Sequence, residues 1–140
     1  MDNINPKHYK MKGLKFKDPE CILFAGCMRF NLGNAFKYVW RAGEKGDAIE
    51  DLDKALWYLE KSYDTHLEDS KYVDDLQEII RDTMVLFFDH LDFSECGEIG
   101  EKKRIILRSM LEWAETAKTI DMVKELKDFI KSQEKKNNGN

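Results

Sequence analysis

Proline is almost absent from this sequence, with Pro6 and Pro19 the only two in 140 residues. Beyond residue 19 no proline breaks a helix, and a many-stranded fold, which needs turn residues at its corners, is disfavoured. Cysteine is scarce and odd in number. Cys21, Cys27 and Cys96 form no C-x-x-C pair, so the thiols read as reduced ones in a cytoplasm. Cys21 and Cys27 are six apart, on different sides of a helix, and make no zinc pair. No apolar run reaches the roughly 18 residues that a membrane span needs. The opening Met1-Asp2-Asn3-Ile4-Asn5 lacks the basic-then-apolar layout of a secretory signal. Also missing are the G-x-x-x-x-G-K-[ST] phosphate loop, the dinucleotide fingerprint and the serine nucleophile elbow.

What is present is ordinary for a single domain: 42% hydrophobic and 36% charged residues, with enough length to bury a core unaided. The net charge of -4 hides an asymmetry. Residues 1–45 carry nine Lys/Arg against four Asp/Glu, residues 46–98 four against sixteen, and residues 99–140 ten against seven. A basic first third attracts phosphates. The acidic middle argues against wrapping duplex nucleic acid, which needs a continuous basic face.

The pattern predicts an all-α single domain of about six helices with a basic N-terminal arm. The arm covers 1–17, a motif region 18–66, C-terminal helices 70–134, and a frayed tail 135–140. Asp18-Pro19-Glu20 reads as a helix start, with a helix over 19–30. Asn31-Leu32-Gly33-Asn34 reads as a break, followed by a helix over 35–42, a loop at Gly43–Gly46, and a helix over 47–64 capped by Asp47. In that helix Ile49, Leu52, Leu56, Leu59 and Tyr63 recur at spacings of three and four, one apolar stripe. Further on, Ser70 caps a helix with Val73, Leu76, Ile80, Met84, Phe87 and Leu91 on one face. A loop spans 92–100, a helix spans 101–117, and Thr119 caps the last.

Chemistry concentrates before residue 60. Asn34, Lys37 and Arg41 share one helical face, opposite Ala35, Tyr38, Val39 and Ala42. An ammonium and a guanidinium so placed suit a phosphate, Arg as a fork and Lys as a point charge. A solvated face is the plainer alternative. Gly43 and Gly46 permit a tight loop, Lys45 adds a cation, and the helix opening at Asp47 offers a positive dipole end. Glu50 can simply pair with Lys54, or Asp47, Glu50 and Asp51 can hold a magnesium ion that bridges to phosphate. In the arm, Asn5-Pro6-Lys7-His8-Tyr9 places an imidazole and a phenol that can stack on a base or dock on the core. Trp40 and Trp57 read as packing residues, and His66 and His90 as structural or exposed ones.

These residues form an ordered string: Asn5-Pro6-x-His8-Tyr9, then Leu32 through Gly46, then Glu50-Asp51-Leu52-x-Lys54-Ala55-x-x-Tyr58-Leu59. The string resembles the SaV-like phage proteins, a family that includes a phage nucleotide kinase acting on deoxynucleoside monophosphates. The resemblance covers about residues 5–62. It implies that Lys37, Arg41 and Lys45 hold phosphates, that His8 and Tyr9 close over the ligand, and that Glu50 or Asp51 serves a metal. The expected function is therefore nucleotide binding in the cytoplasm of an infected bacterial host. It takes the form of a magnesium-dependent monophosphate kinase without a phosphate loop, catalysing by Arg41 and Lys37. The alternatives are a sponge for a cyclic-nucleotide or ADP-ribose-type immune signal, and a module that contacts a host protein. A homo-oligomer is expected, because Phe87, Phe88, Phe93 and Trp113 exceed what a short hairpin needs to bury.

Overall fold

The computed structural model describes residues 21–44, 46–69, 75–93 and 97–138, with side chains undescribed at 63–69. The arm, the Asp18-Pro19-Glu20 start, Lys45, the Ser70 cap and Val73 lie outside the described residues, as do the side chains of Tyr63 and His66. Among the described residues there are six helices: α1 (Cys21–Ala25), α2 (Phe30–Arg41), α3 (Ala48–Asp69), α4 (Asp75–Asp89), α5 (Gly97–Leu111) and α6 (Thr116–Asn138). No strand occurs among the described residues, and the chain is all-α. No helix among them is long and apolar enough to cross a membrane.

The first break falls earlier than the sequence suggests. α1 stops after Ala25, and short-range bonds from Cys27 N–H to the Phe24 carbonyl and from Met28 N–H to the Ala25 carbonyl tighten its end. Asn31, Leu32, Gly33 and Asn34 are then not a break but the opening turns of α2. Gly33 is buried there, and a Cβ on it would stand 2.8 Å from the Ala25 carbonyl oxygen. Its lack of a side chain lets α2 lie against the end of α1. The helix-propensity cost of about 1 kcal/mol for glycine is outweighed by the packing of Phe36, Val39 and Trp40, each at most 1% exposed.

That packing is aromatic. Phe24 sits 5.9 Å from Trp40, 6.2 Å from Phe36 and 5.6 Å, edge-on, from Phe88, and Phe93 meets the Trp40 ring edge at 6.0 Å. The α3 stripe is rotated slightly from its expected centre. Leu52, Ala55 and Leu59 are fully buried, while Ile49 and Leu56 are half-buried at its edge. α3 lies between α2 and α6, tied to α6 by a 2.5 Å ion pair from Lys127 to Asp53.

Downstream boundaries shift by several residues. α5 begins at Gly97, inside the expected 92–100 loop, and ends at Leu111 rather than 117. Its end is closed by Trp113 N–H bonding the Met110 carbonyl and Ala114 N–H bonding the Ser109 carbonyl. This reciprocal pattern needs a left-handed residue, and Trp113 supplies it at φ 62. α6 starts at Thr116, and Thr119 is no cap, since its hydroxyl bonds back to the Glu115 carbonyl. Lys135 to Asn138 continue the helix rather than fray. The expected core face of α4 is divided. Leu91 is buried and Met84 half-buried, but Leu76, Ile80 and Phe87 are 39–64% exposed, and Phe88, outside the expected face, is the α4 residue that reaches the core.

Candidate functional site

α2 and α3 run antiparallel, with Arg41 against Asp51 at one end and Phe30 against Tyr58 at the other. The residues between them form a row about 17 Å long, at the helical rise of about 1.5 Å per residue. Asn34, Lys37 and Arg41 are all half-buried along it, as the shared face requires. Ala35, Val39 and Ala42 point into the core, and Tyr38 lies at the rim.

Tyr38 organises the cations. The Lys37 ammonium lies 4.7 Å from its ring centroid and the Lys54 ammonium 5.5 Å, both within reach of the negative ring face. The ring itself stacks on Tyr58 at 5.9 Å and 12°. Two ammoniums from different helices are thus held beside one aromatic. Glu50 takes up part of this charge, pairing with Lys54 at 3.3 Å on the exposed side. Farther out, Trp57, 55% exposed, meets Tyr58 edge-on at 5.0 Å and carries Lys61 at 5.3 Å. Trp40, by contrast, is core.

At the other end, Arg41 Nε stands 3.6 Å from Asp51 Oδ1, an ion pair too long for a hydrogen bond. Among the described residues, Arg41 Nε and Asp51 Oδ2 are both buried without a hydrogen-bond partner, which is uncommon and costs stability. Burial raises the Asp51 pKa, the Arg41 and Lys54 charges pull it back, and Glu50 and Asp47 push it up again. Protonated Asp51 favours the folded state, and this contribution is complete below the ordinary carboxylate value and lost as pH rises through the raised one. Asp51→Asn removes that dependence. The guanidinium, on a side chain 30% exposed, is left aimed by a carboxylate that does not fully engage it.

The loop after α2 differs from expectation in its electrostatics. Gly43 and Gly46 do adopt positive φ, 84° and 74°. Asp47 caps α3, its Oδ1 accepting from Ile49 N–H at 2.9 Å and Glu50 N–H at 3.4 Å. A carboxylate therefore already occupies that helix N-terminus, and phosphate held by backbone donors there is not supported. The end of α2 is instead gripped from α5. Lys103, 2% exposed, donates to the Ala42 carbonyl at 2.8 Å and to Glu44 Oε1 at 3.3 Å. Nothing in the spacing of Lys102-Lys103-Arg104 marks the middle one as buried.

Lys45, His8 and Tyr9 lie outside the described residues. Lys54 and the Tyr38–Tyr58 stack are additions to the expected set. Lys54, Tyr58 and Lys61 at spacings of four and three were the available signal, obscured by the Glu50–Lys54 pair. Among the described residues, no three His, Cys, Asp or Glu side chains converge to hold a metal ion. Glu50 faces Lys54 and Asp51 faces Arg41, so the pair does not fit a preformed magnesium cage.

The two described cysteines differ in burial. Burial pushes the Cys21 thiol up to about 12, against a smaller lowering by Lys37 and Lys103, whereas Cys27 is exposed. A thiolate-selective disulfide reagent at pH 8 should label Cys27 and leave Cys21 unmodified in the folded protein, in a Cys96→Ser background. Rapid labelling of Cys21 would contradict its burial.

A family described only as a protein of unknown function, DUF3310, matches residues 4–60, under half of the chain. The match spans the row and stops inside α3. No curated protein and no solved structure matches the chain.

Proposed function

We propose that the α2–α3 row binds the phosphates of a nucleotide. The observation that carries this reading is the convergence of Lys37, Lys54 and Arg41 along one row, with Arg41 oriented by buried Asp51. A fork and two point charges beside stacked tyrosines suit a ligand that is both anionic and aromatic. The resemblance to phage nucleotide-binding proteins points the same way. Sequestration of a nucleotide or a nucleotide-derived signal needs only this binding step. A kinase would need a second nucleotide in line, with Lys37 and Arg41 neutralising the transferred phosphoryl group, and any magnesium would arrive with the phosphates. A thermal-shift screen with mono-, tri- and cyclic nucleotides, with and without magnesium, tests the reading. A ligand at 100 times its Kd stabilises by about 2.7 kcal/mol, and raised salt should diminish the shift. No shift with any of them would remove the proposal.

Leu76, Ile79, Ile80, Leu86 and Phe87 lie on one outward stripe of α4, 39–65% exposed. Together they present on the order of 500 Å² of apolar surface. Two copies would cover about 1,000 Å², where stable interfaces begin. We propose a dimer through α4. Light scattering at micromolar concentration should show two copies, and Leu86→Glu should return one. A wild-type monomer would refute it.

A further inference from the structure

The row does not end at Tyr58. Next along α3 come Leu59 and Ser62, and the start of α2 brings Phe30 and Asn31. All four line a cleft of about 790 Å³ that α4, the end of α5 and the start of α6 complete. That volume lies within the range of small-molecule sites. Apolar walls dominate it, with Met28, Met84 and Met110 among the lining residues, flexible side chains that adapt to a flat guest. Trp113 forms another part of the wall, in the left-handed conformation that bulky residues rarely adopt, with the Arg81 guanidinium 4.4 Å over its ring.

Two hydroxyls of this lining stand apart from the hydrogen-bond network of the described residues. Ser62 and Thr116 are 7% and 6% exposed as residues, and neither hydroxyl makes a hydrogen bond among the described residues. Their oxygens are not among the fully enclosed unsatisfied atoms, so the space they reach is the cleft that both residues line. Both hydroxyls therefore face the cleft, where water or a guest can satisfy them.

We propose that this cleft takes the heterocyclic base of the ligand whose phosphates lie on the α2–α3 row, an inference that rests on that reading. A base is flat and apolar on its faces and carries hydrogen-bonding groups along its edge. Hydroxyls both donate and accept, so Ser62 and Thr116 can meet such an edge. From Lys54 to Ser62 is about 12 Å along α3, room for a sugar and a phosphate chain. Phe30 meets Tyr58 edge-on at 6.4 Å and Tyr58 stacks on Tyr38 at 5.9 Å, an unbroken aromatic surface between cleft and cations.

The test compares the four deoxynucleoside triphosphates with inorganic tripolyphosphate by calorimetric titration, using the full chain and its Ser62→Ala/Thr116→Val variant. Exposed Cys27, which also lines the cleft, reports occupancy through its rate of thiol labelling in a Cys96→Ser background. At least one triphosphate should bind about tenfold tighter than tripolyphosphate and protect Cys27, as tripolyphosphate should not. The double variant should lose that advantage while binding tripolyphosphate unchanged. If triphosphates and tripolyphosphate bind alike and Cys27 labels at one rate throughout, the base lies elsewhere and the inference is overturned with the phosphate site intact. If neither binds, the phosphate reading has failed and this inference falls with it. The labelling arm needs no cleft variant, so a misfolded variant does not remove the test.

Discussion

Trp40→Ala should destabilise the protein by about 3–5 kcal/mol, the usual cost of deleting a large buried aromatic. Trp40 is 1% exposed and touches three rings, from Phe24, Phe36 and Phe93, contributed by α1, α2 and the segment after α4. Its loss opens a cavity where these elements meet, and a rigid aromatic cluster cannot collapse to fill it. Trp40→Phe should cost markedly less, because a ring remains. Urea unfolding followed by far-UV circular dichroism measures both. A loss below roughly 1 kcal/mol for the alanine variant would place Trp40 outside the core, and leave its indole available to a ligand.

Lys103→Met should cost about 3 kcal/mol, at the lower end of the range for breaking a buried pair, since Glu44 keeps partial contact with water. Methionine preserves the aliphatic packing but takes a donor from the Ala42 carbonyl and a cation from beside the Glu44 carboxylate. The double variant Lys103→Met/Glu44→Gln should recover part of the loss, because the half-buried carboxylate that loses the lysine's charge is then neutral. Denaturant midpoints for the single and double variants give the comparison. Equal stability of wild type and Lys103→Met would mean that the α5 lysine does not hold the end of α2, and that Arg41 is positioned by α3 alone.

The all-helical fold was legible because periodicity and few breakers act over long windows, whereas boundaries depend on contacts between distant residues. Asn31-Leu32-Gly33-Asn34 carries every local mark of a break. It is helical because Gly33 meets Ala25 from another element, a fact no local pattern contains. Trp113 closes α5 in a conformation that sequence reserves for glycine, so the helix end was placed too late. The face of Asn34, Lys37 and Arg41 was legible from spacing, since α2 is helical throughout. Asp51 was legible as an acid but not as the partner of Arg41, because a loop separates them and only the antiparallel packing of α2 on α3 joins them. Lys103 was not legible at all, being one of three consecutive basic residues of which burial selects one.

Arg41 carries the central claim, and testing it requires allowing for Asp51. Arg41→Ala alone would strand a buried carboxylate and confuse binding with folding. The decisive measurement is therefore calorimetric titration of a deoxynucleoside triphosphate into Asp51→Asn and Arg41→Gln/Asp51→Asn. Lys131→Ala, at an exposed position on α6, is a better control than Lys127→Ala, because Lys127 is ion-paired to Asp53. Lys131→Ala should bind as tightly as wild type, since it removes no cation from the row, and Asp51→Asn, which alters how Arg41 is held but leaves its charge in place, is the reference for the double variant. The double variant should bind about tenfold to a hundredfold more weakly, the worth of one charged hydrogen bond to phosphate. Equal affinity for the double variant and Lys131→Ala would contradict the account and leave the α2–α3 row a solvated face.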